Sequence, residues 1–148
     1  MTQSPMDQSP TDQRPTGQSA LIVDDSKAMR SILRRIVAGL GFETTEAGHG
    51  QEALDHLEAA TAIGRVPDLC LIDWNMPVMD GYTLITEIRK RPEWRNVTLM
   101  MVTTESEQGQ IVRALAAGAH EYVIKPFTPD AIAEKLELLG LVSKGVLA

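Results

Sequence analysis

Three carboxylates, a hydroxyl and an ammonium stand at comparable places along the chain. Asp24 and Asp25 follow the apolar run "ALIV", Asp73 follows "LCLI", Thr103 and Thr104 follow "LMMV", and Lys125 follows "YVI". If those runs are neighbouring parallel strands, their carboxyl ends share one edge of the sheet, and residues a hundred positions apart converge there. Three carboxylates in one pocket repel, and without compensation one or more takes up a proton. Lys125 offsets one charge. A hard divalent cation with oxygen ligands offsets the remainder, and Mg²⁺, which keeps several waters and uses one or two carboxylates per site, suits an open acidic pocket.

A cation there gives Asp73, in "LIDWNMPVMDG", a use. Carboxylates act as nucleophiles and accept phosphoryl groups to give aspartyl phosphates. Phosphoryl transfer needs positioning and charge neutralisation on the equatorial oxygens, which Mg²⁺, Lys125 and the Thr103 hydroxyl can supply. Asp73 is therefore expected to be a partly solvated nucleophile at a metal site. Singly, each residue has a bland explanation: an Asp after a strand caps a helix, a Lys in "IKP" is a surface charge, a Thr at a strand end reflects β-propensity. Their joint placement on one edge is what favours chemistry.

The elements that must position these groups are legible as changes of period. "ALIV", "FETTEA", "DLCLID", "VTLMMVT" and "EYVIK" read as strands. "FETTEA" is polar and belongs at an edge, whereas "DLCLID" is apolar without alternation, as in a strand covered on both faces. Between them, Ala28, Met29, Ile32, Leu33, Ile36, Val37 and Leu40 recur at three- and four-residue spacing and predict a helix. Asp25 or Ser26 can cap its start, and Gly39 and Gly41 punctuate its end. "GQEALDHLEAA", "YTLITEIRK", "QIVRALAAGA" and "DAIAEKLELLG" are the other helices, the second stopped by Pro92 and the third by Gly118. Five strands alternating with five helices imply a parallel α/β sheet with right-handed crossovers and helices on both faces. Cys70 inside "DLCLI" reads as a small buried hydrophobe rather than a reactive thiol. Residues 1–19, a loose repeat "QSPMD", "QSPTD", "QRPTG", hold nothing that offsets ordering entropy and read as a disordered tail. Residues 20–141 form the folded domain and 142–148 a short extension. A net charge of −6 argues against a nucleic-acid surface. Absence of a long apolar run and of a signal peptide points to a cytoplasmic protein without a membrane span.

Together, "VDDS", "LIDWNMPVMDG", "MMVTTES" and "YVIKPF" resemble the signature segments of the receiver domain of two-component response regulators, with a match over about residues 20–140. The resemblance implies a flavodoxin-like, doubly wound five-stranded sheet in the order 2-1-3-4-5, an arrangement for which the chemotaxis member of the family is a worked case. It makes Asp73 the phosphoacceptor, and Asp24 and Asp25 the acidic pair binding Mg²⁺. Asn75 is then the position whose backbone carbonyl ligates the metal, Thr103 the switch hydroxyl, Lys125 the site lysine, and Tyr122 the aromatic that follows phosphorylation. It also implies a phosphodonor histidine kinase, and output through the fourth helix, fifth strand and fifth helix. Gln110, Arg113 and Ala114 are expected on the exposed side of that fourth helix.

No helix-turn-helix or catalytic segment follows the last predicted helix, so output is expected to be partner binding by a monomeric receiver: a switch, not an enzyme. "DWNMP" with Asn75 and "TTE" with Glu105 most resemble the single-domain chemotaxis (CheY-like) subgroup, whose partner is the flagellar motor switch. Thr104 departs from the small residue usual there. A phosphorelay shuttle, partnered by a phosphotransfer protein, and a stress-signalling receiver are the alternatives. An aspartate-nucleophile phosphatase requires a second acid two positions after Asp73, where Asn75 stands. A flavin carrier requires a phosphate-binding loop after the first strand, where "DDSKAMR" repels phosphate.

Overall fold

The computed structural model describes residues 17–104 and 109–143. The N-terminal repeat through residue 16, residues 105–108 with Glu105 among them, and residues 144–148 lie outside the described residues. Apolar runs become strands where both faces can be covered. β3 (Leu69–Asp73) is buried at all five positions, and β4 (Thr98–Thr104) at all but its two ends. β1 (Ser19–Val23) lies on the other side of β3. The polar β2 (Glu43–Ala47), in which only Ala47 is buried, is at one edge, and β5 (Glu121–Lys125) is at the other. All pairings are parallel, and the order is β2-β1-β3-β4-β5, as expected.

Ordered structure starts inside the stretch expected to be tail. β1 begins at Ser19, and the Gln18 carbonyl accepts from the Glu43 N–H at 2.9 Å. The reason is edge pairing: β2 needs a partner for Glu43, and the residue before "SALIV" supplies one whatever its own polarity.

Helices cover both faces. Leu33 and Val37 of α1 (Lys27–Gly39) and Ile132 and Leu136 of α5 (Pro129–Leu138) pack with Ile22, Leu71 and Val102 on one side. On the other, Ala53 and Leu57 of α2 (Gly50–Ala62), Leu84, Ile85 and Ile88 of α3 (Gly81–Arg89), and Ala114 of α4 (Ile111–Ala117) pack with Val23, Cys70, Ile72 and Met101. Burial pushes the Cys70 thiol up to about 12, which leaves it inert.

The caps explain where helices start. Ser26, not Asp25, caps α1, its hydroxyl accepting from the Met29 N–H at 3.2 Å. His49 caps α2: its Nδ1 accepts from the Glu52 N–H, while Glu52 Oε1 reaches back past the cap to accept from the Gly48 N–H, one residue short of the usual capping box. Asp80 and Thr128 cap α3 and α5. Past α1, Gly41 takes φ 102°, the left-handed conformation that glycine adopts without penalty.

One arginine closes the end of the sheet remote from the aspartates. Arg89 donates to the carbonyls of Gly118 (3.0 Å), Trp94 (3.1 Å) and Val97 (2.8 Å), tying α3 to the segments that lead into β4 and β5. Trp94, fully buried, donates its indole N–H to Thr61 of α2 at 2.7 Å. At the opposite end, Gly81 is where α3 begins under the carboxyl end of β3. A Cβ there would lie 2.8 Å from the Asp73 carbonyl oxygen and 2.9 Å from the Trp74 Cα, both backbone atoms that cannot swing aside. Gly81→Ala is expected to cost about 1–3 kcal/mol by overpacking. Gly50→Ala, facing the flexible Met79 side chain, is expected to cost less. Urea unfolding of the two variants checks this; equal costs would contradict the backbone argument.

Candidate functional site

The register brings the site together. Val23 pairs with Ile72, so the next residues, Asp24 and Asp73, leave the sheet side by side. Asp73 pairs with Val102 and Thr104 pairs with Lys125, so Thr103 and Lys125 end at the same edge. Carboxylate oxygens of Asp24, Asp25 and Asp73 all lie within 4.8 Å of one another. Lys125 Nζ is 3.2 Å from Asp73 Oδ1 and 3.8 Å from Asp24 Oδ2.

Burial differs from expectation. Asp73 is only 5% exposed and Asp24 1%, while Asp25 is exposed. Asp73 is thus a buried carboxylate held by an ion pair, not a partly solvated one. In the β3–α3 loop that follows, Trp74 and Met76 are buried in the core while Asn75 and Val78 are exposed. Removal from water, then the neighbouring Asp24 charge, pushes the Asp73 carboxyl up from 3.8 to about 6, against the pull of Lys125. Burial also raises Asp24, opposed first by the Ser26 N–H, which donates to its Oδ1 at 2.8 Å. Asp24 Oδ2 is buried and has no hydrogen-bond partner. An orphaned carboxylate oxygen facing two further carboxylates is what a hard cation would satisfy, so the donor set fits Mg²⁺.

The remaining expected residues are placed as follows. Thr103 is buried, its hydroxyl 3.5 Å from the Thr104 carbonyl. Asn75 is exposed at the start of the β3–α3 loop. Tyr122 packs partly buried against the core on the α4 side, with the Lys135 ammonium 4.5 Å from its ring centroid. Ala114 is a correction: it is fully buried, because the apolar stripe of α4 turns it onto the sheet, whereas Arg113 is exposed as expected. Arg113 lies 4.4 Å over the ring of Tyr82, which in turn meets Trp74 edge-on at 6.1 Å.

Sequence reasoning missed Arg30 and His49. Arg30 donates to the Asp24 carbonyl at 2.7 Å and pairs with Glu46 at 3.0 Å. Its place in the first turn of the helix after "DD" was the available signal. Val78, fully exposed in the β3–α3 loop, takes φ 70°, a conformation costly for a β-branched residue.

The model of the response regulator receiver domain family matches residues 20–137. Chemotaxis protein CheY1 of Helicobacter pylori is 38% identical over 120 residues, covering 80% of this chain and 94% of the relative. Among solved structures, the chemotaxis protein CheY4 of Vibrio cholerae superposes with a TM-score of 0.73 at 30% identity, covering 82% of this chain and 97% of that one. The receiver domain of a sensor histidine kinase from Pseudomonas aeruginosa, solved with a magnesium ion coordinated in its active-site cleft, has a TM-score of 0.71 at 28% identity. It covers 82% of this chain and 95% of that one. No helix among the described residues is long and apolar enough to cross a membrane.

The raised Asp73 carboxyl sets a pH dependence for the metal-free protein. The folded state holds this proton more tightly than the unfolded chain does, so stability is lost as pH rises from about 4 through about 6. Asp73→Asn removes the buried charge. At pH 7.5 in chelator, the variant is expected to be more stable than wild type by on the order of 1–3 kcal/mol. The gain should fade toward pH 4, and urea titrations at both pH values check it. A pH-independent difference would contradict it.

Proposed function

The chain belongs to the response regulator receiver domain family, and on that premise we propose that it is a phosphorylation-dependent switch that accepts a phosphoryl group on Asp73 from a histidine kinase. The observation that carries the reading is the Lys125 ammonium 3.2 Å from the buried Asp73 carboxylate, with Asp24 and Asp25 oxygens within 4.8 Å of it. An Asp73 oxygen attacks phosphorus, and the donor's imidazole nitrogen leaves with the bonding electron pair. Asp24, Asp25 and Asp73, with the Asn75 carbonyl, would hold Mg²⁺, which when bound neutralises charge on the phosphoryl oxygens. Lys125 stabilises the same charge from the β5 side.

The switch follows from neighbours already in place. A phosphoryl group on Asp73 adds charge and acceptor oxygens beside Lys125 and near the end of β4. Drawing the Thr103 hydroxyl inward vacates space for Tyr122, which shares its sheet face through the Met101–Tyr122 pairing. That shifts a pre-existing equilibrium on the surface of α4, β5 and α5. Val112, 73% exposed, and Leu115 give this surface an apolar contribution suited to a protein partner.

The relatives named as chemotaxis proteins favour a role in motility, with a flagellar motor switch as the output partner. The protein is then a cytoplasmic, monomeric signalling switch that assists its own Mg²⁺-dependent phosphorylation and dephosphorylation. The receiver starts with β1 at Ser19, just before the expected boundary at residue 20, and runs through residue 141 to a short extension.

Acetyl phosphate with Mg²⁺ is expected to add one phosphoryl group, read by intact mass, and none to Asp73→Asn. A hydroxylamine-stable adduct on Ser or Thr would exclude the aspartyl phosphate. Thr103→Ala should still be phosphorylated yet lose the amide-shift response around Tyr122 that beryllofluoride produces in wild type. Lys125→Arg should behave similarly, since a planar fork does not replace a compact ammonium. A full Tyr122 response in Thr103→Ala would remove the hydroxyl from the switch.

A further inference from the structure

We propose that Arg30 is a positioning residue for the acidic pocket, holding Asp24 so that one carboxylate oxygen stays aimed at the cation; the proposal rests on the Mg²⁺ reading above. All but one of the polar atoms of Asp24 are already hydrogen-bonded within the protein. Its N–H donates to the Ala47 carbonyl at 3.1 Å, continuing the β1–β2 ladder. Its Oδ1 accepts from the Ser26 N–H at 2.8 Å. Its carbonyl, just past the end of β1, has left the ladder and accepts from Arg30 Nη1 at 2.7 Å. Only Oδ2 remains without a hydrogen bond, on the side of Asp73 and Lys125. With the rest of the residue spoken for, the orientation of Oδ2 is determined rather than chosen by the metal.

Arg30 can do this because a guanidinium is a rigid fork. Its Nε pairs with Glu46 on β2 at 3.0 Å while Nη1 reaches the Asp24 carbonyl, so one planar group spans the ends of two strands. The side chain is 18% exposed. Glu46 is shared with Arg34, whose Nε lies 3.4 Å from its other oxygen. A lysine at position 30 would keep the charge and lose the fork. This separates geometry from field: as a mere source of positive potential Arg30 would oppose cation binding, so removing its charge would tighten the site. Positioning requires the opposite.

The test is Mg²⁺ titration by calorimetry on the full chain, with wild type, Arg30→Lys, Arg30→Gln, Glu46→Gln and, as control, Arg34→Lys. Orienting residues behind metal ligands typically affect affinity by about 10–100-fold. Arg30→Lys and Arg30→Gln are expected to weaken Mg²⁺ about 10-fold, Glu46→Gln to weaken it in the same direction, and Arg34→Lys to leave it unchanged. The Ser26 amide resonance, which reports its bond to Asp24 Oδ1, should move in both Arg30 variants. Wild-type affinity in Arg30→Lys, or tighter binding in Arg30→Gln, overturns the proposal while leaving the metal site intact. A wild type that takes up no Mg²⁺ overturns the metal reading, and the positioning role with it. Should Arg30→Gln fail to fold, Arg30→Lys and Glu46→Gln decide the matter alone.

Discussion

The structure depends on one unfavourable arrangement: two carboxylates, Asp24 and Asp73, buried side by side at the end of neighbouring strands. In water they would repel weakly; out of water the repulsion and the lost hydration both act on the charged form. Lys125 relieves part of this at 3.2 Å, but Asp73 is still pushed up to about 6 and Asp24 Oδ2 is left without a hydrogen bond. Such a site is a poor structural element and a good acceptor of positive charge.

The rest of the fold holds that arrangement in place. The parallel register sets Asp24 level with Asp73 and sends Thr103 and Lys125 to the same edge. Helix packing on both faces buries the three central strands β1, β3 and β4 over most of their length. Gly81 lets α3 start against the Asp73 and Trp74 backbone, which fixes how closely the helix follows the end of β3. Arg89 fastens the far end, joining α3 to the segments before β4 and β5. The far end is thereby cross-linked, while the near end carries exposed residues such as Asn75 and Val78.

Strand identity and order of chemistry were legible because apolar runs with polar terminators leave a simple signal: "LCLI" before Asp73 and "LMMV" before Thr103 need no tertiary information. Polar "FETTEA" announced an edge for the same reason. What was not legible depended on the third dimension. Ala114 was placed on the wrong side of α4, since an alanine in an alanine-rich helix carries no directional information. Ser26 rather than Asp25 became the cap because Asp25 joins the acidic cluster. Asp73 was expected to be wetter than it is, because a charged residue gives no local sign of how deeply it is buried. For Arg30 the only sign was its place in the first helical turn after "DD", which does not say that its partner is the Asp24 backbone carbonyl.

The central claim is that the acidic pocket is strained by charge and relieved by a divalent cation. Proton release on Mg²⁺ binding tests it most directly, measured by calorimetry in buffers of different ionisation enthalpy. Because burial and the Asp24 charge push the Asp73 carboxyl up to about 6, Mg²⁺ binding at pH 6 should release a substantial fraction of a proton, and almost none at pH 8. Affinity should rise with pH through that window and then level off. Binding that releases no proton at pH 6, with affinity flat from pH 5 to pH 8, would contradict the account.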